Sequence, residues 1–224
     1  MCGRFQSTTS PAEFARLFKT IGPLPNTTPR YNAAPTHDLP IVLHDPGTGQ
    51  RCLVALRWGL IPFWAKDAKI GYTTINAMAE TVATTRAFRD AFKSRRCLVP
   101  ADAFYEWKKI GARIKQPYRF AMADGTPFAF AGLWDFAGNE AMRRFTIITC
   151  QANALCAPIH NRMPVILDSI DHPAWLGEVS ASADDLQGLL HPFPAERMEA
   201  HAIAPRIGNV KNDDAVLIER VNSA

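Results

Sequence analysis

The alternation of apolar and polar residues along this chain predicts more strands than helices. Short apolar runs, each bounded by turn residues, have the length and composition of β-strands. They cover residues 40–44, 52–58, 96–99, 118–123, 128–133, 144–150, 164–167 and 198–203. Because turns rather than helices separate most of them, antiparallel or mixed pairing is predicted in preference to a parallel, doubly wound sheet.

Helix signals are fewer and shorter. Ser10 with Glu13 forms a capping box, Pro11 occupies the first helical position, and Phe14 begins an apolar stripe at helical spacing. Further helices are predicted over 84–93, over 152–157 and from Ser182, where a second capping box occurs. These elements predict an α+β fold, a single compact domain over residues 1–224. Its sheet should be curved, barrel-like and mostly antiparallel or mixed, with short flanking helices.

Composition excludes several classes of protein and leaves an asymmetric charge. Hydrophobic residues make up 47% of the 224 positions and charged residues 21%, which is typical of a globular protein. The chain has no apolar run long enough for a transmembrane helix and no signal-peptide pattern, so a cytoplasmic protein is expected. The net charge is +4, but residues 1–119 carry +10 and residues 120–224 carry −6. Such asymmetry indicates a face that binds a polyanion, although charges spread over a solvated surface would also fit.

The five cysteines are odd in number and include no C-x-x-C pair, which argues against a disulfide framework and a zinc site. We expect no metal and, as a separate expectation, no cofactor. Cys52, Cys97 and Cys150 lie in apolar runs and are predicted to be small buried hydrophobes. Cys2 differs because it lies at the extreme terminus.

Removal of Met1 would give Cys2 a free α-amine and a thiol on adjacent carbons. The unperturbed pKa of such an amine is roughly 7.7–8.0, so part of it is neutral and can form an imine with an aldehyde. The thiol can then close a five-membered thiazolidine ring. The alternative is an incidental residue in a frayed terminus, but the neighbouring Gly3 and Arg4 favour a functional role.

Polar residues embedded in apolar stretches are the other candidates for chemistry. Glu106 lies between aromatic residues, where its pKa should be raised so that it can shuttle protons. Asn76 lies in a run of small residues, and His160 lies beside Arg162 just before a strand. Each of these residues, taken singly, also fits a purely structural role.

Aromatic and basic residues alternate in a proline-bounded segment. Trp64 is followed by Lys66 and Lys69, a pattern that suits single-stranded nucleic acid, in which bases stack on rings and phosphates meet cations. Trp58, within a predicted strand, is expected to belong to the core.

These motifs, in order and over nearly the whole chain, resemble the SOS response-associated peptidase (SRAP) family. The matching segments are MCGRF at 1–5, RYNAAP at 30–35, RWGLIP at 57–62, NA-x-AET at 76–81, RRCLVPAD at 95–102, FYEW at 104–107, IHNRMP at 159–164 and GNVKN at 208–212.

The resemblance implies an abasic-site processing protein of the DNA damage response. Its partners would be single-stranded DNA and single-strand/double-strand junctions that contain abasic sites, with no membrane and with the protein as a monomer. Cys2 would form a thiazolidine DNA–protein crosslink that shields the lesion. Lyase activity and autoproteolytic peptidase activity, to which the family owes its name, would use the same site. A cytoplasmic location, associated with the nucleoid if the source is bacterial, would follow.

The resemblance also implies roles for individual residues. Cys2 would be the nucleophile, Glu106 would assist opening of the sugar ring and proton transfer, His160 would help imine formation and its reversal, and Asn76 would orient the reacting group. Residues implied to shape the pocket or contact DNA are Arg4, Asn32, Pro35, Trp64, Arg86, Trp107, Thr149 and Arg162. Of these, Asn32, Pro35 and Thr149 would shape the pocket. Arg4, Arg86 and Arg162 would contact phosphates, and Trp64 would wedge against a base.

Two residues depart from the family pattern. Met78 stands where the family usually has arginine, which removes one expected phosphate contact that Arg86 or a lysine near residue 66 would have to replace. Ala103 stands where glycine is usual, next to the Glu106 segment.

Two other functions stay open at this point. One is a cysteine hydrolase in which His160 is the base and Glu106 orients it. The other is a nucleic-acid-binding module without catalysis, which would bind DNA reversibly and in a salt-sensitive manner.

Overall fold

A computed structural model describes residues 2–112, 114–136 and 143–221. Within these ranges, the strands are β1 (Phe5–Ser7), β2 (Arg30–Ala33), β3 (Asp38–Asp45), β4 (Gln50–Trp58), β5 (Asn76–Met78), β6 (Arg96–Ala101), β7 (Ala103–Lys109), β8 (Lys115–Met122), β9 (Phe128–Phe136), β10 (Arg143–Gln151), β11 (Arg162–Pro164), β12 (Ile166–Leu167) and β13 (Met198–Ala202). The α-helices are α1 (Pro11–Phe18), α2 (Arg89–Ser94), α3 (His172–Leu176) and α4 (Ala183–Gly188).

The strands form two sheets. The smaller is antiparallel, in the order β13-β8-β7-β1-β2. The larger runs β11-β10-β4-β3-β6-β9-β12, with β5 beside β10, and it curves until β9 pairs with β10. Only the pairings of β10 with β4 and β5 are parallel among the described strands. The predicted α+β fold with a curved, mostly antiparallel or mixed sheet is confirmed.

An aromatic core joins the two sheets. The ring of Phe5 on β1 lies 5.2 Å from that of Trp58 on β4 and 5.7 Å from that of Phe130 on β9. Phe104 on β7 stacks on Phe120 on β8 at 4.9 Å. The burial of an aromatic side chain such as Phe5 contributes about 1.5–3 kcal/mol, so the core fixes the N-terminal strand three residues from Cys2.

Both predicted capping boxes lie at the N-terminus of a helix. In α1, Ser10 accepts a hydrogen bond from the Glu13 N–H at 3.2 Å, whereas the Glu13 carboxylate accepts from Arg16, so only half of the predicted capping box is present. In α4, Ser182 and Asp185 exchange hydrogen bonds reciprocally. Because short helices gain little from propensity alone, these side-chain caps matter for where the helices begin.

Other local predictions need correction. The helix predicted over 152–157 is wrong: these residues form turns, in which the Asn153 side chain accepts a hydrogen bond from the Cys156 N–H and offers the backbone an alternative to a helix. The helix predicted over 84–93 begins only at Arg89. Cys97 and Cys150 are buried as predicted, whereas Cys52 is only half-buried.

The strands β1, β2, β5 and β7 are absent from the sequence-based prediction. The first part of β7, from Ala103 to Glu106, is buried on both faces, so it lacks the alternation that reveals a half-exposed strand. The other three are only three or four residues long. These short, closely packed strands carry Asn76 and Glu106, and β1 begins just after Cys2.

In the segment that leads from β4 to Asn76, the backbones of two glycines, Gly59 and Gly71, lie very close together. Gly59 has φ +116°, and a Cβ atom on it would lie 2.5 Å from the carbonyl oxygen of Gly71. That distance is shorter than any side chain tolerates, so the chain can pack here only with glycine at position 59.

We expect Gly59→Ala to destabilise the protein by at least about 3 kcal/mol, because backbone strain adds to steric overlap with a carbonyl group. Gly125→Ala is the matched control, since Gly125 also has positive φ (+72°), but a methyl group there would have no neighbour within 4 Å. The control should lose only about 1–2 kcal/mol. Urea denaturation of both variants measures the difference, and equal losses would contradict the close-contact explanation.

Candidate active site

The register between β1 and β7 brings Cys2 next to Glu106. Phe5 pairs with Phe104, and the Tyr105 N–H donates a hydrogen bond to the Arg4 carbonyl at 3.1 Å. Because the strands are antiparallel, the residues that precede Arg4 run alongside the residues that follow Tyr105. Cys2 therefore lies beside the Glu106 segment, although about a hundred positions separate the two residues in the sequence.

Asp102 fixes the other end of β1. Its carboxylate accepts hydrogen bonds from the backbone N–H groups and the hydroxyls of Thr8 and Thr9, and its own N–H donates to the Gln6 carbonyl. Hydrogen bonds to a charged acceptor are stronger than neutral ones. The N-terminal strand is thus held by a charged anchor at one end and by the aromatic core in its middle.

Glu106 is a buried carboxyl group, only 4% exposed. Burial disfavours the charged form and raises the pKa of Glu106 to about 7. The raised pKa that the sequence predicted is confirmed in direction. A group with this pKa exchanges protons readily at neutral pH.

His160 faces Glu106, with 4.0 Å between Nε2 and Oε2. Its other nitrogen, Nδ1, lies 3.1 Å from the backbone N of Arg162 and 3.2 Å from the backbone O. The N–H group of Arg162 can donate to Nδ1 of the neutral ring, which puts the remaining proton on Nε2, toward Glu106. The Arg162 carbonyl can accept from Nδ1 when the ring is charged. Burial lowers the pKa of His160, so the neutral form is favoured.

The Cys2 thiol is fully buried, and its Sγ lies 3.7 Å from the Arg4 carbonyl oxygen. Burial, with a contribution from the charge of Glu106, raises the pKa of the thiol well above its usual range. The thiol is therefore protonated at neutral pH. The thiol can act as a nucleophile only if a neighbouring group accepts its proton. Glu106 is close enough to Cys2 for its charge to affect the pKa of the thiol.

Asn76 and Thr149 are brought together by the parallel pairing of β5 with β10. The Asn76 amide nitrogen lies 3.5 Å from the Ile147 carbonyl, whereas its buried Oδ1 has no hydrogen-bond partner among the described residues. Thr149, also buried, donates its hydroxyl to the Ala77 carbonyl at 3.3 Å. An unsatisfied buried amide oxygen is costly, so Oδ1 is a candidate acceptor for a substrate group.

Arg162 is held by the protein itself. Its guanidinium makes a bidentate ion pair with Glu80, at 2.6 and 3.0 Å, and donates to the Thr149 carbonyl. The backbone of the same residue holds His160. The sequence singles out Glu80 only as a polar residue in the same run of small residues as Asn76. Its pairing with Arg162 could not be predicted, because the two residues lie 82 positions apart and no local pattern links them.

The other predicted DNA contacts lie in different settings. Trp64 and Arg86 form a pair, with the guanidinium 4.3 Å from the ring centroid. Arg4 is half-buried and donates to the Gly3 carbonyl at 3.3 Å, and burial lowers its pKa. Pro35 lies half-buried in the turn after β2. Met78 is half-exposed at the end of β5, so no cation projects from this position.

Asn32 and Trp107 contact residues 203–217, which we call the C-terminal segment. The buried Asn32 amide donates to the carbonyls of Ile207, Asn209 and Asn212. Trp107, half-buried, packs against a small second core around Tyr105. Both residues therefore have a structural role.

Ala103 is fully buried at the start of β7 and pairs with Gln6, so its methyl group is accommodated in the strand that carries Glu106.

Two features are absent from the described part of the chain. No group of three or more His, Cys, Asp or Glu side chains in these residues is placed to hold a metal ion. In the same ranges, no helix is both long enough and apolar enough to cross a membrane.

Comparisons with known proteins agree in sequence and in structure. A family model described as SOS response associated peptidase (SRAP) matches residues 1–210. Abasic site processing protein YoqW of Bacillus subtilis (strain 168) is 41% identical over 224 residues, which cover 98% of this chain and 99% of the relative. Abasic site processing protein HMCES of Xenopus tropicalis is 30% identical over 217 residues, which cover 83% of this chain and 64% of the relative. A crystal structure of a protein from Bacteroides thetaiotaomicron superposes with a TM-score of 0.87 at 27% identity, covering 99% of this chain and 100% of that one.

The burial of Glu106 predicts a pH-dependent stability. Below about pH 4 the carboxyl is protonated in both the folded and the unfolded chain, so its ionisation does not lower the free energy of unfolding. As the pH rises toward 7, only the unfolded chain ionises, so the free energy of unfolding of the wild type should fall. Glu106→Gln cannot ionise, and its advantage over the wild type should grow by up to about 3 kcal/mol between pH 4 and pH 7.

Urea denaturation at several pH values measures this difference. Glu13→Gln is the control, because Glu13 is exposed and its hydrogen bond to Arg16 lowers its pKa, which reverses the sign of its small contribution. A Glu106→Gln advantage that does not change with pH would contradict a raised pKa at Glu106.

Proposed function

Because the chain belongs to the SOS response-associated peptidase (SRAP) family, we propose that it captures abasic sites in DNA by forming a covalent thiazolidine crosslink through Cys2. The observation that carries this proposal is the position of Cys2 beside Glu106, a buried carboxyl group whose pKa is raised to about 7. The relatives YoqW and HMCES are named abasic site processing proteins, which supports the choice of substrate.

The proposed reaction begins once Met1 has been removed. The Cys2 α-amine attacks the aldehyde carbon of the ring-opened abasic sugar, and loss of one water molecule gives an imine. The thiol then adds to the imine carbon: a carbon–sulfur bond forms, and the thiol proton passes to the nitrogen. The product is a five-membered ring, and no oxidant or reductant is needed.

Glu106 has two tasks in this scheme. An abasic sugar is mostly a closed hemiacetal, so a proton must leave the C1′ hydroxyl and another must reach the ring oxygen before an aldehyde appears. A carboxyl group with a pKa near 7 can perform both transfers at neutral pH. Its charged form can also accept the proton of the Cys2 thiol.

His160 supplies a second proton-transfer group. In its neutral form it carries the proton on Nε2, 4.0 Å from Glu106, when the Arg162 N–H donates to Nδ1. This proton can help the hydroxyl of the carbinolamine to leave as water. The amide oxygen of Asn76, buried and without a partner among the described residues, can accept a hydrogen bond from the reacting amine or sugar hydroxyl.

Single-stranded DNA, or a single-strand/double-strand junction, is the proposed form of the substrate, bound by a monomer. The basic N-terminal half of the chain and the Trp64–Arg86 pair support this choice, since cations beside aromatic rings suit phosphates and unstacked bases. The Glu80 ion pair of Arg162 would have to rearrange or be shared if Arg162 contacts a phosphate.

The site favours this reaction over that of a cysteine hydrolase. A hydrolase needs a thiolate, which is usually produced by a histidine close to the sulfur or by a positive environment. Here burial and the charge of Glu106 raise the pKa of Cys2, and His160 faces Glu106. An amine-first reaction does not require a thiolate in the free protein.

Cys2→Ser tests the proposal. The variant keeps the α-amine but cannot close the thiazolidine, so the heat-stable adduct with abasic single-stranded DNA should disappear. A borohydride-trappable imine should survive. Intact-protein mass spectrometry, with and without the abasic oligonucleotide, measures both products and also shows whether Met1 is absent. A heat-stable adduct formed by the serine variant would overturn the thiazolidine mechanism.

Glu106→Gln tests the proton-transfer role. The substitution keeps the shape and hydrogen-bonding capacity of the side chain, so DNA binding should stay near that of the wild type. The rate of crosslinking at saturating DNA should fall about 10²–10⁴-fold, the usual contribution of general acid–base catalysis. Glu196→Gln, at an exposed carboxylate, is the control. If Glu106→Gln crosslinks at the wild-type rate across pH 5–8, Glu106 is not the proton shuttle.

A further inference from the structure

The hairpin formed by β7 and β8 extends beyond Glu106 and carries positive charge. Lys109 and Lys115 are exposed near its end, and Lys108 is half-buried. Within the described part of the chain, no ion pair involves any of these three lysines. Arg162 differs in this respect, since it forms an ion pair with Glu80.

Two of these lysines face each other directly. In the antiparallel register of the hairpin, Lys109 is the partner of Lys115. Like charges directly opposite each other on neighbouring strands destabilise a sheet. Their juxtaposition therefore costs stability in the free protein, and an anion that covers both would relieve the repulsion.

The lysines lie close to the proposed reaction site. Lys108 and Lys109 follow Glu106 by two and three residues on the same strand, which at about 3.3 Å per residue places their Cα atoms roughly 7–10 Å from that of Glu106. Lys115 is among the charges that lower the pKa of His160. The hairpin end is thus near enough to contact DNA within a few nucleotides of a bound lesion.

Two exposed isoleucines lie at the two ends of the turn that joins β7 and β8. Ile110 is 47% exposed and Ile114 is 63% exposed, and the Ile110 N–H donates to the Ile114 carbonyl at 3.1 Å, which keeps the two residues side by side. Two exposed isoleucines flanked by lysines suit a nucleic acid, because aliphatic side chains pack on bases while cations bind phosphates.

We propose that the end of the β7–β8 hairpin is a DNA-binding element, in which Lys109 and Lys115 bind phosphates near the lesion and Ile110 and Ile114 pack against an adjacent base. This inference rests on the proposed function, since it takes DNA as the partner. It assigns phosphate contacts to a part of the chain other than position 78, where Met78 offers none.

The test uses a single-stranded oligonucleotide with a tetrahydrofuran abasic analogue, which has no aldehyde and cannot crosslink. The variant is Lys109→Gln with Lys115→Gln, and its control is Lys19→Gln with Lys93→Gln, which removes the same charge from exposed positions at the end of α1 and in α2. Fluorescence anisotropy gives Kd at several salt concentrations.

The hairpin variant should lose two phosphate contacts. The salt slope is the slope of the logarithm of Kd against the logarithm of the salt concentration, and each phosphate contact to a single strand contributes about 0.7 to it. The ratio of Kd at about 200 mM salt to Kd at about 50 mM salt should therefore shrink by about sevenfold. The control variant should keep the wild-type slope. Lys109→Arg with Lys115→Arg should restore it, and the Tm of the glutamine variant should equal or slightly exceed that of the wild type.

Ile110→Ser with Ile114→Ser separates apolar packing from charge. This variant should bind the analogue more weakly while its salt slope stays at the wild-type value. Wild-type affinity would overturn the assignment of the isoleucines to a base.

The outcomes distinguish this inference from the proposed function. A wild-type slope for the lysine variant, or an equal change in the Lys19/Lys93 control, would overturn the hairpin as a phosphate-binding element. Wild-type protein that binds the analogue yet forms no adduct with a true abasic site would instead overturn the proposed chemistry.

Discussion

The antiparallel pairing of β1 with β7 is the constraint on which the candidate site depends. A shift of one residue in this register would turn Phe5 out of the core and move Cys2 away from the Glu106 segment. The register is fixed twice, by the packing of Phe5 against Trp58 and Phe130 and by the hydrogen bonds of Asp102 to the residues that follow β1. The first strand, and with it the position of Cys2 three residues earlier, is thereby held against β7.

Burial then sets the protonation states that the proposed chemistry would use. It raises the pKa values of Cys2 and Glu106 and lowers that of His160, which shifts all three groups toward their neutral forms in the free protein. Neutral groups suit an amine-first mechanism, because protons can be exchanged without the prior separation of charge. Arg162 supports this arrangement from both its backbone, which holds His160, and its side chain, which Glu80 holds.

The cations of this protein differ in the partners that they have within the described residues. Some cations are committed to internal contacts: Arg162 pairs with Glu80, and Arg86 stacks on Trp64. The lysines of the β7–β8 hairpin, by contrast, face each other without an acidic partner among the described residues. A basic half of the sequence therefore does not by itself locate the proposed phosphate-binding surface, because the partners of each cation decide whether it is available.

The sequence by itself determined the local features: the apolar runs of the longer strands, the capped starts of α1 and α4, and the aromatic environment that raises the pKa of Glu106. Only the tertiary structure decided which short segments became β1 and β5, that Asn32 holds the C-terminal segment, and that Glu80 holds Arg162. The physical reason is the range of the interactions. Capping and the periodicity of long strands act between near neighbours and leave a pattern in the sequence. Short strands packed within the sheets, and pairs of side chains far apart in the chain, are stabilised by partners that no local pattern identifies.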